Sequence, residues 1–131
     1  MPYALDDQHE PLISMHLHGW LSDAELDRVR ADLDERVTRG QPFIVLLDCT
    51  GLRVPELSQV RQLANSFAVH ADSPSQRGVA FVINTPMLRG TLRAIVQTQS
   101  AGVPMTVVDS VAAARHWAAA QLEGRRESSC A

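Results

Sequence analysis

Apolar residues fall in two alternating rhythms along this chain. Phe43 to Leu47 is a continuous apolar run that reaches Asp48, short enough and rich enough in Ile, Val and Leu for a strand buried on both faces. After a turn segment with Gly51, apolar residues recur at Leu57, Val60, Leu63, Ala64 and Phe67, which is helical spacing. The same change of period repeats on either side. Leu12 to His18 alternates through Ile13, Met15 and Leu17 and predicts a strand, with Leu12 breaking the alternation. Val79 to Ile83 predicts a second buried strand, and Met105 to Val108 a last one.

Three further helices are predicted by the pattern. Ser22 followed by Glu25 is a capping-box spacing, Leu21 can staple onto Leu26, and Asp23 and Glu25 suit the positive end of a helix. Leu26, Val29, Leu33 and Val37 continue as a stripe until Gly40 and Pro42 end it. Thr85-Pro86 opens another helix, with Met87, Leu88, Leu92, Ile95 and Val96 expected on its apolar face. Asp109 or Ser110 caps the last, with Val111, Ala114, Trp117, Ala118 and Leu122 on the inner side. Residues 70–78 are expected to form a polar loop, and residues 3–7 an antiparallel edge strand. Strand and helix alternate throughout, so the expected fold class is α/β: a mostly parallel sheet of four or five strands with four helices packed on it. One domain over residues 1–123 is expected, with 124–131 a disordered tail.

Composition narrows the functions open to such a domain. The 131 residues are 45% hydrophobic and 21% charged, with a net charge of -3, and this argues against a general nucleic-acid binder. All 12 basic residues are arginine. Two cysteines, one ending the central strand and one near the chain end, make no disulfide framework. The acidic amino terminus lacks the features of a signal peptide, and no apolar run is long enough to span a bilayer, so a cytoplasmic protein without membrane contact is expected.

The candidate chemistry is sparse. In open α/β sheets, ligands and partners meet the carboxyl ends of the strands, which directs attention to residues 48–58. Asp48 reads as a turn-former and Cys49 as a small core residue, because Cys49-Thr-Gly-Leu-Arg53 is too short to wrap a phosphate and no activating cation is evident. His16 and His18 share a strand face but lack a third ligand, so no metal is expected. Gly90 sits early in a helix, where it costs about 1 kcal/mol against alanine, and implies close packing or the approach of a partner, with Arg89 beside it. There is no phosphate loop, dinucleotide fingerprint or nucleophile elbow, and no cofactor or catalytic residue is expected.

Two motifs give the chain a family likeness. Gly19-Trp20-Leu21-Ser22 follows a strand and opens a helix, and LLDCTG precedes the helix of VPELSQVRQL. With the later segments GVAFVINTPMLRGTLRAI and VVDSVAAARHW, the order over residues 12–122 resembles a STAS domain, the fold of anti-sigma factor antagonists, in a divergent bacterial single-domain branch. The resemblance implies a non-enzymatic module that binds a protein partner, an anti-sigma factor kinase-like protein or other regulator, and is switched by phosphorylation. The family's Asp-Ser-Ser-Gly sequence falls on Glu56, Leu57, Ser58 and Gln59, of which only Ser58 and the acid at Glu56 survive. Ser58 is therefore the implied phosphorylation position, with Thr50 a second hydroxyl in the loop. The expected partner surface comprises Asp48, Thr50, Gly51, Arg53, Glu56, Ser58 and Arg89. An edge strand with apolar residues also permits a homodimer. The alternative is a carrier or sensor of a small apolar or lipid-like ligand, in the manner of the CRAL-TRIO lipid-binding architecture, which requires a cavity beneath the second and third helices.

Overall fold

Each apolar rhythm takes the secondary structure that its period dictates. The computed structural model describes residues 3–9, 11–20, 22–53, 57–68, 75–99 and 104–130. In chain order these form β1 (Tyr3–His9), β2 (Leu12–Leu17), β3 (Gly19–Trp20), α1 (Asp23–Arg39), β4 (Phe43–Asp48), β5 (Leu52–Arg53), α2 (Leu57–Ala68), β6 (Gln76–Val82), α3 (Pro86–Gln99), β7 (Met105–Val108) and α4 (Val111–Cys130). The fold is α/β, with four helices and a mostly parallel five-stranded sheet.

The helix ends obey local chemistry. At the start of α1 the backbone N–H of Ser22 donates to Glu25 Oε2 at 3.1 Å. At its end Gly40 adopts a left-handed conformation, and its N–H donates to the carbonyl of Val37 at 3.1 Å. Leu21, the expected staple, lies outside the described residues. Pro86 occupies the first position of α3, whose turn is closed by Arg89 N–H on the Thr85 carbonyl at 2.9 Å. Ser110 caps α4, its Oγ accepting from the N–H of Ala113 at 3.1 Å.

The main sheet runs β1-β2-β4-β6-β7, with β1 antiparallel to β2 and every other pair parallel. Each crossover moves one strand further in the same direction. Because such crossovers are right-handed, their helices must all fall on one face. Leu26, Leu33, Leu63, Phe67, Leu92 and Val96 of α1, α2 and α3 accordingly share a core with Ile13, Met15, Val45, Leu47 and Phe81. Phe67 and Phe81 meet edge-to-face with ring centroids 5.5 Å apart, filling the layer beneath α2. The alternate residues Leu46, Ala80 and Val82 face the opposite side, where Ala114 and Trp117 of α4 pack with them. Leu12, the residue that breaks the alternation of β2, belongs to this second core.

Two expectations need correction. Met87 does not join the apolar face of its helix; it is 83% exposed. Leu88, Leu92, Ile95 and Val96 define the buried arc of α3, and a residue one position before Leu88 lies about 100° from it, which carries Met87 out to solvent. Residues 76–78, expected within a polar loop over 70–78, belong instead to β6, which begins at Gln76, and residues 70–74 lie outside the described residues. Gln76 pairs with Phe43, the N–H of Phe43 donates to the Ser75 carbonyl at 2.8 Å, and the buried Gln76 amide donates to the Phe67 carbonyl at 3.0 Å. Of the two roles expected of Gly90, it does not serve close packing within the chain, since a Cβ built there meets nothing within 4 Å. The glycine that does is Gly78, where an added Cβ lies 3.0 Å from the ring of Trp117 and 3.3 Å from Ile44. The helical backbone of α4 continues to Cys130, through the segment expected to be a tail.

Candidate functional site

The carboxyl ends of β2, β4 and β6 lie side by side, because Asp48 is level with His16 on one neighbour and with Val82 on the other. Asp48 organises the turn that leaves the strand. Its Oδ1 accepts from the N–H of Thr50 at 3.0 Å and from the Thr50 hydroxyl at 2.7 Å, an aspartate turn of the kind expected. Its Oδ2 lies 3.3 Å from His16 Nδ1. Both carboxylate oxygens are thereby engaged within the chain, and the side chain is only 15% exposed. Asp48 positions the loop instead of facing outward from it.

The chain then turns at Gly51, whose φ of 79° is left-handed. The N–H of Leu52 donates to the Cys49 carbonyl at 3.0 Å, and the Gly51 carbonyl accepts from the N–H of Gly19 at 3.2 Å. Gly19 is itself left-handed, with φ of 74°. These two turns bring β3 and β5 together as a separate two-stranded parallel ladder, with Gly19 opposite Leu52 and Trp20 opposite Arg53. Leu52 is buried in the main core and anchors the ladder to it. On its outer side the Arg53 guanidinium stands over the Trp20 ring, 5.8 Å from the centroid. Trp20 remains 63% exposed while held by its backbone and by this stack.

The remaining candidates distribute around this core of the site. Cys49 is buried, and burial first and the neighbouring Asp48 second push its thiol far above the ordinary range, so it stays protonated. A neutral, enclosed thiol is no nucleophile, and Cys49 packs as the small core residue expected. Ser58 is exposed in the first turn of α2. The hydroxyl of Thr50 donates to Asp48 Oδ1. Glu56 lies outside the described residues. Arg89 is partly buried and its Nη1 reaches the Ile83 carbonyl at 3.4 Å, which sets it beside the end of β6. His18 is exposed, and among the described residues no three His, Cys, Asp or Glu side chains are grouped to hold a metal ion. Among the described residues no helix is long and apolar enough to cross a membrane.

Asp48, Thr50, Gly51 and Arg53 are thus brought together as their spacing suggests, joined by His16 and Trp20. In the sequence Trp20 stands out only as part of a motif, and two-residue strands are too short for any periodicity to reveal. The signal that was available is the pair Gly19 and Gly51, each flanked by apolar segments and each a position for a left-handed turn. The chain matches no family model, no curated protein and no solved structure.

Proposed function

We propose that this chain is a non-enzymatic regulatory module of STAS-like build that binds a protein partner in the cytoplasm through the carboxyl end of its sheet. The observation that carries this reading is Trp20, a large aromatic that is 63% exposed yet fixed by a β-ladder and by Arg53. A rigid exposed Trp beside an Arg loses little side-chain entropy on burial, and these two residue types supply a large share of interface hot spots. The neutral thiol of Cys49 and the internally bonded carboxylate of Asp48 support an interaction surface over a reactive one. The resemblance to anti-sigma factor antagonists makes an anti-sigma factor kinase-like protein, or another regulator, the partner.

Ser58 is the switch position in this reading. A phosphate on the first turn of α2 meets backbone N–H groups at the helix start and places new negative charge on the partner surface. The test is capture of the partner from the source cell by wild-type chain, Trp20→Ala and Ser58→Asp, with circular dichroism confirming the fold of each. Loss of the captured protein with Trp20→Ala, and its weakening with Ser58→Asp, are expected. Equal capture by all three sinks both the surface and the switch.

A further inference from the structure

The outward face of α3 carries features that the isolated chain leaves without a purpose. Met87 is the most exposed of the large apolar residues described. Gly90, three positions on, is exposed, and its backbone is not left-handed, since only Gly19, Gly40 and Gly51 have positive φ among the described glycines. An added methyl there meets nothing within 4 Å. Neither conformation nor internal packing asks for glycine, although the helix would form more readily with alanine. What glycine does provide on an exposed helix is room for another backbone to come close.

Charge also varies along the helix layer, and of its arginines Arg93 borders this face. α2 and α3 contain Arg61, Arg89 and Arg93 and no acidic residue, in a chain that carries 15 acids against 12 bases. α1 holds six acids, Asp23, Glu25, Asp27, Asp32, Asp34 and Glu35, against four arginines, Arg28, Arg30, Arg36 and Arg39. Along the helix layer, where α2 touches both α1 and α3, acids outnumber arginines in α1 while α3 carries arginine alone. Arg93 is exposed three positions after Gly90, and its guanidinium is steadied on the Val107 carbonyl at 3.3 Å. α3 follows the carboxyl end of β6, the strand beside β4, so Met87 in its first turn lies at the same end of the sheet as Asp48 and Thr50.

We infer that the Met87–Gly90 face of α3, bordered by Arg93, receives an acidic amphipathic helix of the partner protein, seated close over Gly90. The inference rests on the reading of the chain as a partner-binding module and names the chemistry of that partner. An apolar anchor and a close backbone approach suit a helix, and the local excess of arginine selects an acidic one.

Three synthetic helical peptides with one shared Leu/Ala stripe and a polar face of Glu, Gln or Lys provide the probes. Binding is read by fluorescence anisotropy and by backbone amide shifts. The Glu peptide is expected to bind, to shift the amides of Met87, Gly90 and Ala94, and to weaken as salt is raised. Gly90→Gln and Arg93→Glu are each expected to reduce its affinity about tenfold or more, and Gly90→Gln to do so without lowering the melting temperature. Absence of binding by the Glu peptide, equal binding of the Gln or Lys peptide, or unchanged affinity in Gly90→Gln overturns the inference. So does binding of phosphatidylserine vesicles that excludes the Glu peptide, which points to a membrane, or a dimer in sedimentation that buries Met87, which points to a second copy. If Trp20→Ala abolishes capture of the natural partner while Gly90→Gln leaves it intact, the surface at Trp20 stands and only the α3 inference falls.

Discussion

Replacing Asp48 tests whether one carboxylate builds the whole end of the sheet. Asp48→Ala removes two hydrogen bonds from Thr50 to Oδ1 and the 3.3 Å contact of Oδ2 with His16. Bonds to a charged group contribute roughly 1.5–3 kcal/mol each when sheltered. Water can replace the carboxylate at the half-exposed His16, so that contact adds about 0.5 kcal/mol at most. The two Thr50 bonds share one oxygen and one short turn, so they do not add in full. The expected total loss is about 2–3 kcal/mol, which for a chain of this size lowers the melting temperature by roughly 6–10 °C. Thr50→Val removes only the 2.7 Å hydroxyl bond and should cost about 1 kcal/mol. Asp48→Asn retains an acceptor for Thr50 and should fall between wild type and the alanine variant. The decisive readout is local: hydrogen exchange of the Gly19 and Leu52 amides, which bond to Gly51 and Cys49, should quicken more than that of the β4 core. An Asp48→Ala protein that melts within about 1 °C of wild type, with Gly19 still protected, refutes the role assigned to this residue.

Three other outcomes are expected. Cys49 should resist alkylation by iodoacetamide in the native protein at neutral pH and react on unfolding; because its thiol is raised by burial and then by Asp48, the stability it contributes should be lost as pH climbs past the unfolded thiol value of about 8.5. Gly78→Ala should lower stability by about 1–3 kcal/mol, measured by urea denaturation, because its methyl would stand 3.0 Å from the Trp117 ring and 3.3 Å from a backbone carbonyl. Gly90→Ala should raise stability by about 0.5–1 kcal/mol in the same assay, since the site is open and helical; a loss there would show an internal demand for glycine.

The parts of this fold that are legible in the sequence are those where several local signals agree. α1 has a cap, a reciprocal Glu25, a stripe through Leu26, Val29 and Leu33, and a stop at Gly40, and its bounds can be read from any two of these. β4 is apolar at five successive positions because Leu46 faces α4 while Val45 and Leu47 face the other helices. Asp48 is legible as a turn-former because its bonding partner, Thr50, is two residues away. The features that escape a sequence reading depend on partners distant along the chain. The ladder of β3 and β5 joins Gly19 to Leu52, and nothing within either dipeptide announces it. Gly78 reads as the end of a polar loop until β6 is seen to begin at Gln76 and Trp117 is placed over the glycine. Trp20 is apolar by type, and only the ladder that turns it outward makes it a surface residue.

Strand order decides what kind of site this end of the sheet can hold. A ligand crevice in an open parallel sheet arises where strand order reverses, because neighbouring crossovers then lead to helices on opposite faces and leave a gap between them. Here β2, β4, β6 and β7 succeed one another across the sheet without reversal, and α1, α2 and α3 pack against the same core. Among the described residues no gap of that origin opens beside Asp48. Beneath α2 and α3, where an apolar ligand would need room, Phe67, Phe81, Leu92 and Val96 are buried against one another and the sheet. The strand ends are instead closed over by the turn at Thr50 and Gly51 and by the β3–β5 ladder. Side chains that leave such a rim leave it outward, as Trp20 and Met87 do. Under the reading proposed above, Trp20, held outward by its ladder and by Arg53, would meet a partner that lays a surface against it and not an enclosed small molecule.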